Sequence, residues 1–240
     1  MNVKHAAPPL AILGGTFDPL HNGHLRAALE AGEALGADVR LIPCGMPPHR
    51  SMPIASAAER AAMLRAALAG QRRLVLDERE LGRSGPSYSV DTLLEVREEI
   101  GDERPLTLLL GADAFAGLPS WHRWRDLFSL AHVGVLTRPH REAESAGESP
   151  HLAAFGNLPI SLRTWIASRR TRDPATLAAT PAGRVAAIEV TQLDISASRV
   201  RELIADGRDP RWLLPDALLA DPSLLAVYRR TAAASDARHC

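Results

Sequence analysis

The residues best suited to chemistry sit in one short run, Gly14-Gly15-Thr16-Phe17-Asp18-Pro19-Leu20-His21-Asn22-Gly23-His24-Leu25. Paired glycines let the backbone approach a bound group closely. His21 and His24, three residues apart, can turn both rings toward one ligand. A ring N–H donates to phosphate oxygens, and more strongly when the ring is cationic. If a helix opens at Gly23-His24, its unpaired N–H groups and dipole add to the attraction for an anion. The chemistry indicated is phosphate binding. Taken singly, His21 reads as a surface loop residue and His24 as a helix-start residue; the pair behind a diglycine favours the anion. A zinc site needs a third ligand that this spacing does not supply. The run is neither G-x-G-x-x-G nor a P-loop, so on its own it remains a weak signal.

Such a site needs a strand end and a helix start to hold it, and the hydropathy pattern provides both. Leu10-Ala11-Ile12-Leu13 reads as a buried strand ending at the diglycine, and a helix follows over about 24–35. Further strands are expected at 39–43, 74–76, 106–111, 132–136 and 185–190. Helices are expected from the Ser56-to-Glu59 capping box to about 68, and over 89–100. Continuous apolar strands alternating with helices imply a parallel sheet covered on both faces. The expected fold class is therefore α/β, a Rossmann-like doubly wound parallel sheet, with ligands beyond the carboxyl ends of the strands. The polar 138–150 reads as a loop, and the Arg- and Pro-containing 168–183 as an irregular excursion. The segment 196–230 reads as a small helical C-terminal part of short helices, and 231–240 as a frayed tail.

Composition narrows the function by exclusion. Of 240 residues 46% are apolar, and Lys plus Arg equals Asp plus Glu at 28 each, so no global charge draws the chain to nucleic acid or membrane. Residues 1–9 carry no signal-peptide core, and no run of about 18 apolar residues occurs. Cys44 and Cys240 have no CxxC spacing, which makes a reducing cytoplasm the default compartment. A dinucleotide dehydrogenase is disfavoured because G-x-G-x-x-G and its acidic partner are missing.

A second run far downstream, Ile195-Ser196-Ala197-Ser198-Arg199-Val200-Arg201, suits a helix N-cap with a guanidinium one turn on. By itself it is an ordinary cap. Together the two runs resemble the signatures of the adenylyl/cytidylyltransferase superfamily, T-x-x-H with H-x-G-H and I-S-S-x-x-[IV]-R. Between them lie Met46-Pro47-Pro48-His49-Arg50, Glu59-Arg60-x-x-Met63, Ser87-Tyr88-Ser89-Val90-Asp91-Thr92-Leu93, Gly111-Ala112-Asp113-Ala114-Phe115 and Trp121-His122-Arg123-Trp124. Leu214-Pro215-Asp216-Ala217-Leu218 and Tyr228 close the series. This succession over about 10–230 resembles the bacterial nicotinate-mononucleotide adenylyltransferase family.

The resemblance implies one nucleotidyltransferase domain over 1–230, with its core at 8–195, and transfer of the adenylyl group of ATP to nicotinate mononucleotide. The implied products are deamido-NAD and pyrophosphate. ATP brings Mg²⁺ with it. Gly14, Gly15, Thr16, Phe17, His21, His24, Ile195, Ser196, Ser198 and Arg201 would hold ATP, with His24, His21 and Arg201 as the catalytic set. Arg50, and His49 beside it, would meet phosphate across the site, and Asp113 a ribose hydroxyl; without the resemblance Asp113 reads equally well as a helix cap. Ser87, Tyr88, Ser89, Trp121 and His122 would recognise the pyridine ring and its carboxylate, Trp121 being read as exposed rather than packed. No metal cage, nucleic acid or membrane is implied, and a homo-oligomer is compatible. Asn22 stands where the family often has an aromatic, Arg50 where it has Lys, and Ser89 where Thr is common. Acceptors left open are nicotinamide mononucleotide and phosphopantetheine, and a non-catalytic nucleotide-binding regulator is the other class.

Overall fold

The computed structural model describes residues 7–47, 52–138, 155 and 158–229. Six parallel strands form one sheet: β1 (Leu10–Gly15), β2 (Asp38–Pro43), β3 (Leu74–Leu76), β4 (Leu106–Gly111), β5 (His132–Thr137) and β6 (Val185–Glu189), in the order β3-β2-β1-β4-β5-β6. Helices α1 (Asn22–Leu35), α2 (Ala57–Leu68), α3 (Ser89–Ile100), α4 (Ala112–Ala116), α5 (Leu127–Leu130), α6 (Ile160–Ile166), α7 (Ala197–Ala205) and α8 (Asp216–Ala220) surround it. This is the doubly wound α/β class read from the sequence, with a strand order that reverses direction between β1 and β4.

The continuous apolar strands arise because both faces are covered. Leu10, Ile12, Leu106, Leu108 and Leu110 face the core built with Val90, Leu93 and Val96 of α3 and with Phe115, Leu127 and Leu162. Ala11, Leu13 and Leu109 face the other core, with Ala28, Ala31 and Leu35 of α1 and Leu64 and Leu68 of α2. A third cluster, including Met63, Val200, Ile204, Leu218 and Tyr228, packs the C-terminal helices onto α2.

The capping box at Ser56 forms: the Glu59 N–H donates to the Ser56 hydroxyl, and the Ser56 N–H to the Glu59 carboxylate. Helix α1 begins two residues earlier than its apolar period, with His21 at the N-cap. Helices α4, α5 and α6, of five, four and seven residues, show no periodic face in the sequence because each is two turns or less. The 168–183 excursion is ordered and lies at the amino ends of the strands, away from the carboxyl edge. Pro181 O accepts from Leu106 N, Thr180 O lies 2.7 Å from His132 Nε2, and Leu177 is buried. Most of 138–150, and the tail from 230, lie outside the described residues.

Candidate active site

Strand β1 delivers Gly14 and Gly15 to the carboxyl edge, directly beside the end of β4, at the point where the strand order reverses. Gly14 is exposed, with nothing within 4 Å of where a side chain would begin, so the backbone borders open space. Thr16 is half-buried, whereas Phe17 is 2% exposed. Only the backbone of Phe17 can therefore line a ligand; its ring lies edge-on to His24 at 5.1 Å and supports it from below.

His21 and His24 stack with ring centroids 3.7 Å apart at the start of α1. The H-x-G-H spacing has a steric reason. A Cβ on Gly23 would sit 3.0 Å from His21 Nδ1, so a side chain there would push the ring away. Burial lowers the His21 pKa to about 4, and burial together with the neighbouring His21 lowers that of His24 to about 3. Both rings are thus neutral near pH 7, and the cationic option drops out for the free protein. His24 Nδ1 accepts from the His21 backbone N–H at 3.3 Å, which leaves the proton on Nε2 as a donor.

The downstream run meets the first. Ser196 caps α7, its hydroxyl accepting from Arg199 N at 3.2 Å and lying 3.3 Å from the Ser198 hydroxyl. Leu193 O lies 3.6 Å from the Cβ position of Gly23, and the Arg201 guanidinium donates to Asp18 O at 2.6 Å. Ile195 is half-buried against the C-terminal cluster. Two helix starts therefore present N–H and O–H donors on one edge. Among the described residues no group of three or more His, Cys, Asp or Glu side chains is placed to hold a metal. The donors here suit phosphate oxygens.

Of the residues expected at the acceptor, those that the structure describes follow the carboxyl ends of the strands on this edge. Helix α3 starts at Ser89 with Tyr88 as its N-cap residue, and the Tyr88 and His122 rings lie 4.5 Å apart. Trp121 is half-buried and packs on the main core, less exposed than its charged neighbours suggest; the fully enclosed anchor is Trp124. Ser87 is buried with its hydroxyl turned inward, accepting from Gly45 N at 2.9 Å. Asp113 is exposed in the first turn of α4 and makes no cap bond, since Gly111 is the N-cap residue. His49 and Arg50 lie outside the described residues.

Two buried polar groups and one half-buried one, none given a site role by sequence reasoning, hold this edge together. Arg60, 1% exposed, donates to Thr16 O (2.9 Å), Cys44 O (2.8 Å) and Ala55 O (3.3 Å), pinning the loops after β1 and β2. Asp18, 5% exposed, accepts from Ile54 N (2.8 Å), Ala55 N (3.0 Å) and the Tyr228 hydroxyl (2.8 Å). Asn22 ties the α1 start to the C-terminal part through Trp212 O (2.8 Å) and Leu214 O (3.2 Å). Asp18, Asn22 and Arg60 all stand inside the motifs quoted from the sequence, but residue type alone gives no sign that they are structural ties and not surface polar groups.

A strand-order reversal carrying two donor-rich helix starts, one with a neutral histidine pair, defines the class as a nucleotide-binding transferase of the Rossmann-like type. The model of the cytidylyltransferase-like family matches residues 12–203. A Methylococcus capsulatus protein named probable nicotinate-nucleotide adenylyltransferase is 48% identical over 88% of this chain and 94% of its own length. A Pseudomonas putida protein of the same name is 44% identical over 95% and 99%. The chain belongs to the nicotinate-nucleotide adenylyltransferases of the cytidylyltransferase-like family. In fold it is similar to Plasmodium falciparum nicotinic acid mononucleotide adenylyltransferase complexed with NaAD, at 14% identity and a TM-score of 0.60, covering 93% of this chain and 96% of that one. No helix among the described residues is long and apolar enough to cross a membrane.

Proposed function

We infer that the chain transfers the adenylyl group of ATP to nicotinate mononucleotide in NAD biosynthesis, releasing pyrophosphate. The observation that carries this reading is the meeting of the α1 and α7 starts, joined by Arg201 on Asp18 O, in a chain whose relatives bear that name along their whole length. An oxygen of the acceptor's 5′-phosphate attacks the α-phosphorus of ATP in line. The new P–O bond forms as the bond to the β-phosphate bridge breaks, and pyrophosphate leaves with the pair of electrons. The attacking oxygen is already ionised at neutral pH, so no general base is needed; positioning and charge stabilisation do the work.

In this reading the neutral Nε2–H of His24 donates to the phosphate as charge builds, with His21 beside it. Ser196, Ser198 and Arg201 hold the β- and γ-phosphates, and Gly14, Gly15 and Thr16 let the nucleotide approach the sheet edge. Mg²⁺ carried by the ATP phosphates would supply charge neutralisation for the pyrophosphate, while Ser196, Ser198 and Arg201 hold its oxygens. Tyr88, Ser89, Trp121 and His122 take the pyridine ring, Asp113 a ribose hydroxyl, and Arg50 a phosphate. The compartment that goes with this reading is the cytoplasm, where two widely separated cysteines without CxxC spacing stay reduced.

The test is pyrophosphate release from ATP and Mg²⁺ with nicotinate mononucleotide, nicotinamide mononucleotide or phosphopantetheine as sole acceptor. We expect the acid nucleotide to give turnover. No release with it, alongside release with either other acceptor, would refute the assignment.

A further inference from the structure

The segment 87–89 does not hold itself in place. It is held by a carboxylate on the connection between β3 and α3. Glu80 is 7% exposed. Its Oε1 accepts from the Thr92 hydroxyl at 2.5 Å, and its carboxylate is also hydrogen-bonded by the Ser87 side chain. Both hydroxyls have their acceptor sides engaged elsewhere: Ser87 Oγ by Gly45 N (2.9 Å) and Thr92 Oγ1 by Arg83 (3.1 Å). The Thr92 proton has the Glu80 carboxylate at 2.5 Å and the Tyr88 carbonyl only at 3.4 Å, so it is directed chiefly to Glu80, and the Ser87 hydroxyl is the second donor to the same carboxylate.

The network spans three pieces of chain. Ser87 N donates back to Met46 O at 2.8 Å, so the loop after β2 and the α3 entrance are cross-tied. Thr92 lies one turn into α3, and its backbone N–H bonds Tyr88 O. A Cβ on Gly45 would come 2.4 Å from Glu80 O, so the loop can close on this connection only as glycine. Burial pushes the Glu80 carboxyl above the usual carboxylate range, while the two hydroxyls and Arg83 oppose that rise. The network includes no residue of the α1 or α7 starts, where the triphosphate is read to bind. Its link to the loop after β1 runs through the backbone of the loop after β2, which Arg60 holds independently.

We propose that Glu80 is a positioning residue for the acceptor: it sets the pose of Tyr88 and the α3 entrance, and thereby the affinity for the pyridine nucleotide and not for ATP. The proposal rests on the reading that Tyr88 and His122 border the acceptor. Glu80→Gln keeps the size but puts an amide donor against two hydroxyl donors, so one bond is lost and its partner is left unmatched.

The experiment is steady-state kinetics with each substrate varied in turn, on wild type, Glu80→Gln, Thr92→Val and His122→Ala, with the thermal midpoint of each variant measured. Expected for Glu80→Gln is a KM for nicotinate mononucleotide raised about tenfold, the worth of one hydrogen bond to a charged group. The KM for ATP and kcat at saturation should stay within about threefold, and Thr92→Val should follow the same pattern more weakly. An unchanged acceptor KM in both variants, or an ATP KM rising in parallel, overturns the proposal; the parallel rise is what a merely structural role gives. His122→Ala separates the two ideas. If it raises the acceptor KM while the Glu80 and Thr92 variants do not, Glu80 alone is misassigned. If it too changes nothing, the reading of the acceptor site fails, and this proposal with it.

Discussion

Replacing His24 with alanine removes one N–H donor whose state the structure defines. Nδ1 is occupied by the His21 backbone N–H at 3.3 Å, and burial with the His21 neighbour lowers the pKa to about 3. The donor is therefore a neutral Nε2–H. A preorganised donor to an oxygen that gains charge in the transition state contributes about 2.7–4 kcal/mol, a factor of roughly 10² to 10³ in kcat. Alanine also deletes the 3.7 Å stack on His21 and the 5.1 Å edge contact with Phe17. Contacts of that type carry about 0.5–1.5 kcal/mol each, so the thermal midpoint should fall by a few degrees while the fold persists. Pyrophosphate release at saturating ATP and nicotinate mononucleotide reads kcat. His24→Gln, which can return an N–H near the Nε2 position, should recover part of the loss. A kcat within about threefold of wild type in the alanine variant would refute the role, since the donor would then contribute less than 1 kcal/mol. A limb near pH 6.5 in kcat/KM that is abolished with His24 would refute the neutral state, because that profile reports the free protein.

Arg60→Leu should destabilise strongly. It leaves the Thr16 and Cys44 carbonyls, bonded at 2.9 and 2.8 Å, without this donor, at about 1–3 kcal/mol for each buried acceptor. A fall in the thermal midpoint of roughly 5–15 °C is expected, and a fall under about 2 °C would show that the guanidinium is not needed there. Acid stability follows from the histidines. Their folded pKa values, about 4 for His21 and about 3 for His24, lie below the unfolded value near 6.5. The unfolded chain thus binds more protons, and stability is retained above about pH 6.5 and lost as pH falls toward 4. The slope is at most about 1.4 kcal/mol per pH unit for each ring. Buried His132 adds in the same direction, so the measurement is a difference: urea unfolding at pH 7.5 and 5.0 for wild type and for His21→Asn/His24→Asn. The double variant should lose less stability between the two pH values, and an equal loss would rule out the burial argument.

Much of the fold could be read locally. Strand 106–111 and helix 89–100 fall where the apolar pattern puts them, because a strand buried on both faces is apolar throughout and a long helix repeats its apolar face. Strand 74–76 falls there too, although it lies at the sheet edge with Val75 exposed. The 168–183 excursion could not be placed, since a 3₁₀ segment with one buried leucine has no period. Phe17 and Ser87 show the limit at the site. Their presence in the motifs is legible, yet the ring of one is core and the hydroxyl of the other is turned inward.

The sequence by itself determined the two short runs, a diglycine strand end with two histidines and a capped helix with an arginine, because such features are set by residue type and short spacing. Their resemblance to one family's signatures is what joined them in one expected reaction. Only the tertiary structure decided what state they are in. That His24 is neutral follows from burial and from a neighbour's N–H. That Arg60, Asp18 and Glu80 hold the edge follows from their being 1%, 5% and 7% exposed. A charged side chain is written the same way whether water or carbonyl groups surround it, and desolvation, which exists only once the chain has closed over the group, makes it structural.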